Sequence, residues 1–237
     1  MNKIFDRQYV IPAYIVTAMW YMVCVTFIPE PWCAIFKVIP IGILIAALAV
    51  RLKDAKDRQT LLLPIIALSF SMIGDVFGDM KVGSFKDVAM LWQMAAFLLA
   101  HVVYIGSFLR FMSAPRPNGL TKRDAFGRLG CVLFMVMFLM LLCDTVLPVL
   151  ESPVFRIGVS AYMVVISVMV FTSMMQMRKH VWQIILGALL FALSDAIIAW
   201  TAFLPATGIP LAVEDTLVFL TYFSAQILIN VGLLKKE

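Results

Sequence analysis

Leu61–Met80 reads LLLPIIALSFSMIGDVFGDM. Up to Phe77 the run is apolar enough to lie in lipid, and it is continuous rather than alternating. That pattern is expected of a helix crossing a bilayer and not of a barrel strand. Asp75 and Asp79 interrupt it one helical turn apart. A carboxylate near a bilayer centre costs about 2.5–3.5 kcal/mol even on a lenient insertion scale, so acids in such a segment need a compensating role.

The rest of the chain has the same character. Of its 237 residues 63% are hydrophobic and only 14% charged, against about 25% charged in a soluble domain. The composition excludes a soluble globular class and predicts an all-α polytopic membrane protein. Eight crossings are expected, near Tyr9–Phe27, Cys33–Val50, Leu61–Phe77, Val88–Met112, Leu129–Val149, Val154–Met177, Val181–Phe203 and Val213–Leu234. They are separated by breakers such as IPEPW, KVGSFKD, LESP and LPATGIP. Spans of this number leave no room for a separate soluble domain, so residues 1–237 are expected to form a single integral membrane domain. Met1–Gln8 is too short and polar for a cleavable signal, which makes the first run a retained anchor.

The 19 basic residues against 14 acidic ones are read as topology and not as a nucleic-acid surface. Lys and Arg gather at the N-terminus, in RLKDAKDRQ, around SAPRPNGLTKRDAFGR, in RKH and at the C-terminus, and are sparse in the intervening segments. The alternation puts both termini on the cytoplasmic side. A bacterial inner membrane is expected, or the endoplasmic reticulum in a eukaryote. Cys24, Cys33, Cys131 and Cys143 form no C-x-x-C pair and are expected to be small buried hydrophobes.

With that orientation, Asp75 and Asp195 each lie about 14 residues, or roughly 21 Å, from the cytoplasmic start of their helices, and Lys37 falls near the same level. His101, Tyr104, Tyr222 and Gln226 lie between that level and the cytoplasmic half. Asp79, beside Met80 and Lys81, is expected to be a solvated helix end, as is Asp144. Asp75 and Asp195 are too short to snorkel from such a depth. An internal echo links them: ALSFSMIGD (67–75) aligns with GALLFALSD (187–195), and FLLAH in the fourth run resembles YFSAQ in the eighth. Two like-oriented four-helix repeats would bring the carboxylates to equal depth.

Two acids sharing one cavity take different protonation states, one acting as acid and the other as base. That division suits cleavage of an acetal-like or enol-ether bond through an oxocarbenium-like state. It suits a proton-coupled transporter equally, and a lipid-binding scaffold would account for the apolar walls but not for the acids. The chain has only two histidines, too few for a three-histidine zinc site. His180 belongs to a basic loop, and no metal is expected.

Phe36-Lys37, Gly74-Asp75, FLLAHVVY (97–104), GALLFALSD (187–195) and YFSAQ (222–226) together resemble the lysoplasmalogenase (YhhN-like) family of eight-helix membrane proteins. Asp79 has no counterpart among these motifs. The resemblance implies hydrolysis of the vinyl-ether bond of a lysoplasmalogen to a fatty aldehyde and a glycerophospho-ethanolamine or glycerophosphocholine, with membrane lipid as surroundings and no cofactor. Asp75 and Asp195 would be the catalytic pair. Lys37 would neutralise the ionised partner or bind phosphate, and His101, Tyr104, Tyr222 and Gln226 would orient water and the glycerol hydroxyl.

Overall fold

The computed structural model describes residues 7–28, 32–53, 55, 57–80, 85–110, 112, 121–176, 181–204 and 211–234. Eight helices run through them: α1 (Arg7–Phe27), α2 (Ala34–Leu52), α3 (Gln59–Gly78), α4 (Lys86–Leu109), α5 (Lys122–Thr145), α6 (Pro153–Met175), α7 (Val181–Phe203) and α8 (Leu211–Leu234), with a 3-10 turn at Leu147–Val149. All eight are long and apolar enough to cross a membrane. No strand occurs among the described residues. The chain is a polytopic, all-helical membrane protein, as its composition predicts. Large apolar side chains such as Trp20, Leu133, Met137 and Val164 are exposed along several helices, as expected where the surrounding solvent is hydrocarbon.

The chain divides into two compact units, Met1–Ser107 and Phe108–Glu237. In the first, α1 packs on α2 and α2 on α3. Pro12, Pro40 and Pro64 lie inside these three helices. A proline removes one backbone hydrogen bond, which neighbouring helices in a membrane bundle make tolerable. In the second unit, α7 and α8 have the most extensive interface, and α5 and α7 both pack on α6.

The α7–α8 interface depends on an absent side chain. A Cβ on Gly187 would come within 3.0 Å of the Ala225 carbonyl oxygen and the Ile229 nitrogen, and within 2.8 Å of Ile229 Cγ1. Glycine therefore lets the α7 backbone touch the α8 backbone, the small-residue contact that holds helices together where water supplies no drive.

One boundary departs from expectation. α5 starts at Lys122 and not near Leu129, because Thr121 and Asp124 form a capping box. The Thr121 hydroxyl accepts the Asp124 N–H at 3.2 Å and the Asp124 carboxylate accepts the Thr121 N–H at 3.3 Å, satisfying two N–H groups that a helix start leaves open. The other oxygen of Asp124 accepts the Trp182 indole N–H at 3.1 Å, tying the start of α5 to α7. Met177 and His180 lie outside the described residues.

Gly187→Ala is expected to lower the stability of the detergent-solubilised protein by about 1–3 kcal/mol, as overpacking does, read as a lower midpoint of thermal unfolding by circular dichroism. Gly42→Ala, whose Cβ would meet nothing within 4 Å, should leave the midpoint unchanged or raise it.

Candidate functional site

In the first unit the acids of the quoted stretch meet the lysine of α2. Asp75 sits in the last turn of α3 and Asp79 caps the helix, its N–H bonded to the Asp75 carbonyl. A spacing of four puts both side chains on one face. Lys37, in the first turn of α2, brings its ammonium 2.9 Å from Asp79 Oδ1 and 3.9 Å from Asp75 Oδ1. The Cys33 thiol, just before α2, donates to Asp79 Oδ2 at 3.7 Å. The Tyr21 ring of α1 lies 5.8 Å from the Lys37 ammonium, centroid to nitrogen, within cation–π range.

Asp79 is therefore not a solvated helix end. It is 6% exposed and is the tighter of the two partners of Lys37. The reason is local: Gly78 has no side chain in the way. A Cβ there would stand 2.7 Å from Gln93 Nε2 and at ordinary contact distance, 3.6 Å, from Lys37 Nζ, so glycine at 78 lets the α4 amide close on the end of α3 beside the ammonium. Gly74 does the same for the Phe97 ring, 2.9 Å from where a Cβ would be. Asp144, in contrast, is exposed as expected. Of the cysteines, Cys24 and Cys33 are buried, Cys131 is intermediate and Cys143 is exposed, so burial holds for only part of the set.

The contacts of Gly78 with Gln93 and of Gly74 with Phe97 run in opposite directions along α3 and α4. His101 and Tyr104 follow Phe97 on α4 and are both fully buried. The buried Tyr14 hydroxyl of α1 is within electrostatic reach of both Asp75 and Tyr104. Helices α1, α2 and α3 thus all contribute polar groups near Asp75, which is itself 1% exposed. Sequence reasoning passed over Tyr14, Tyr21 and Gln93. Their only signal was a polar tip inside an apolar run, which many packing tyrosines share.

In the second unit Asp195 lies on α7 and its Oδ2 accepts a hydrogen bond from the Tyr162 hydroxyl of α6 at 2.7 Å. Tyr162 was not singled out from the sequence, and the structure sets its hydroxyl directly on that carboxylate. One turn before Asp195, Phe191 meets the Tyr222 ring of α8 edge-on, centroids 5.5 Å apart. Gln226, one turn after Tyr222, is fully buried, and its backbone carbonyl accepts the Asn230 amide at 2.7 Å. The half-buried Thr201 hydroxyl of α7 donates to the Glu214 carboxylate of α8.

Chemically, each unit holds a carboxylate on its third helix engaged by a donor from its second: an ammonium for Asp75 and a phenol for Asp195.

Comparison with known proteins fits this picture. The YhhN family model matches residues 32–233. Over 194 residues the chain is 28% identical to Lysoplasmalogenase from Mycobacterium bovis, covering 81% of this chain and 66% of that protein. Over 164 residues it is 28% identical to Lysoplasmalogenase TMEM86B from Homo sapiens, covering 67% of this chain and 62% of that one. The matched region thus spans just under two thirds of the length of these curated relatives. No solved structure matches the chain. The family match covers most of the chain and takes in Lys37, Asp75, His101, Tyr104, Asp195, Tyr222 and Gln226; the chain belongs to the YhhN family.

Proposed function

We propose that this protein is a lysoplasmalogenase, hydrolysing the vinyl-ether bond of alkenyl-glycerophospho-ethanolamine or alkenyl-glycerophosphocholine. The observation that carries the reading is the carboxyl of Asp75, 1% exposed, beside a lysine, inside a membrane protein of a family whose named relatives are lysoplasmalogenases. A vinyl ether resists base and yields to acid, so a buried proton donor in a membrane chain suits this substrate class.

The chemistry assigns a task to each carboxyl. A proton delivered to the β-carbon of the vinyl ether converts the α-carbon into an oxocarbenium ion. Water adds to that carbon while a base takes its proton, and the hemiacetal collapses to a fatty aldehyde and the free glycerol hydroxyl. One water is consumed and the proton is returned. Asp75 and Asp195 are the donor and the base in this scheme. Tyr162 holds Asp195 in orientation, since its hydroxyl donates to one carboxylate oxygen. His101 and Tyr104 in the first unit, and Tyr222 and Gln226 in the second, serve the water and the glycerol hydroxyl. Lipid reaches the chain along its apolar helices, and the alternation of basic segments supports cytoplasmic termini.

Asp75→Asn and Asp195→Asn should each abolish aldehyde release from lysoplasmalogen while leaving a folded, monodisperse protein. Retained turnover in either would reject the paired-acid scheme. Purified protein should also convert the vinyl ether and leave its saturated-ether analogue intact; equal reaction of both, or of neither alongside proton flux in liposomes, would point to other chemistry. Tyr162→Phe should retain activity with kcat reduced about tenfold, the equivalent of losing roughly 1.4 kcal/mol of positioning, with KM little changed in steady-state assays.

A further inference from the structure

Hydroxyls inside these helices are commonly satisfied by their own backbone. Ser69 of α3 donates to the Ile65 carbonyl, and Ser167, Thr172 and Thr221 each donate to the carbonyl four residues back on their own helices, the usual local bond of a helical hydroxyl. Ser71, two residues after Ser69, does not follow them. Its side chain is completely buried, and its Oγ has no hydrogen-bond partner among the described residues. A buried polar atom left unpaired destabilises a fold, so its presence asks for a use.

Its place on α3 suggests one. Ser71 precedes Asp75 by four residues, so the two side chains share a face of the helix, about 6 Å apart along its axis. Across that face, Gly74 meets Phe97 and Gly78 meets Gln93. This antiparallel register continues to Ala100 opposite Ser71, with His101 next to it, and both are fully buried. The hydroxyl thus lies one turn from the carboxyl, level with the small side chain of an alanine.

We propose that Ser71 binds the free secondary hydroxyl of the lysolipid glycerol while Asp75 faces the vinyl ether, and so selects lysolipids as substrates. Five bonds separate the β-carbon of the vinyl ether from that hydroxyl oxygen, and an extended chain advances about 1.2 Å per bond, which gives roughly 6 Å, the separation of Ser71 from Asp75 along α3. Counting from the α-carbon removes one bond, so the match holds whichever proton-transfer role Asp75 takes. A serine hydroxyl both donates and accepts, as its guest does. Esterifying the guest oxygen removes its hydrogen and sets an acyl chain at a fully buried position, so the two-chain plasmalogen is rejected. This deepens the hydrolase reading and rests on it.

The test uses the full chain in lipid nanodiscs and two substrates, alkenyl-glycerophosphoethanolamine and its 2-deoxy analogue, which lacks only the secondary hydroxyl. Wild-type kcat/KM should be at least about tenfold lower for the deoxy substrate, as where a site's buried polar group is left unpaired. Ser71→Ala should lose about the same factor on the hydroxyl-bearing substrate and then turn over the two equally. Its thermal midpoint should hold or rise, because no protein hydrogen bond is lost. Ser107→Ala is the comparison: its hydroxyl is also buried and unpartnered among the described residues, but the same register sets it level with Pro64, about two turns from Ser71. It should keep the wild-type discrimination.

Equal wild-type rates on the two substrates would overturn the assignment and leave the hydrolase reading intact. So would an equal loss on both in Ser71→Ala, the result expected if the serine served the attacking water or packing alone. Should Ser71→Ala fail to fold, Ser71→Cys, whose thiol is a weak hydrogen bonder, should narrow the discrimination, and undiminished discrimination would overturn the inference. A binding arm needs no catalysis: the saturated-ether lysolipid should raise the wild-type thermal midpoint more than its 2-deoxy counterpart does, and the two should act alike on Ser71→Ala. That difference without aldehyde release would remove the hydrolase reading and leave the hydroxyl site standing; no difference would overturn the site.

Discussion

Two carboxyl side chains of the first unit, Asp75 and Asp79, are buried, and half-buried Lys37 is the cation that meets both. An ammonium or carboxylate taken into a low-dielectric interior is stable only when paired and hydrogen-bonded, and removing one partner of such a pair typically costs about 3–5 kcal/mol. The ion pair of Lys37 with Asp79 at 2.9 Å therefore constrains what surrounds it. α2 must present its first turn to the end of α3, where Gly78 leaves room for the Gln93 amide of α4. Asp75 inherits its setting from these requirements.

In the second unit the carboxylate of Asp195 is met by the Tyr162 phenol, Thr201 pairs with Glu214, Asn230 lies on the Gln226 carbonyl, and Arg128 donates to the Gln176 carbonyl. Glycine again sets the spacing, with Gly187 admitting the α8 backbone. In both units a helix carrying an acid is approached closely because a neighbouring position has no Cβ. A bilayer supplies little hydrophobic drive between helices, so close backbone contact and specific polar bonds supply much of the association.

Hydropathy made the eight spans legible, since each needs about 20 apolar residues and the breakers between them are charged or rich in proline and glycine. It misplaced the start of α5, because TKRDAFGR looks like a solvated loop by charge while Thr121 and Asp124 carry the spacing of a capping box. Cost arguments singled out Asp75, and it is buried. The same arguments set Asp79 aside, since proximity to Met80 and Lys81 suggests an interface, and only the orientation of the α3 end and the opening at Gly78 place it against Lys37. Tyr162 was legible as a tyrosine in an apolar run and not as the partner of Asp195, because nothing local in α6 states which residue of α7 it will meet.

Composition and periodicity by themselves determined that this chain is a bundle of membrane-crossing helices, because the cost of unsatisfied backbone groups in hydrocarbon leaves a continuous apolar run no other form. They also singled out Asp75 and Asp195 as acids inside apolar runs, while setting Asp79 aside. Pairing was decided by tertiary structure alone: that Lys37 lies nearer Asp79 than Asp75, and that the Tyr162 phenol of α6 meets Asp195. Those choices turn on differences of about an ångström between side chains from separate helices, set by which positions lack a Cβ and by the angle at which each helix ends.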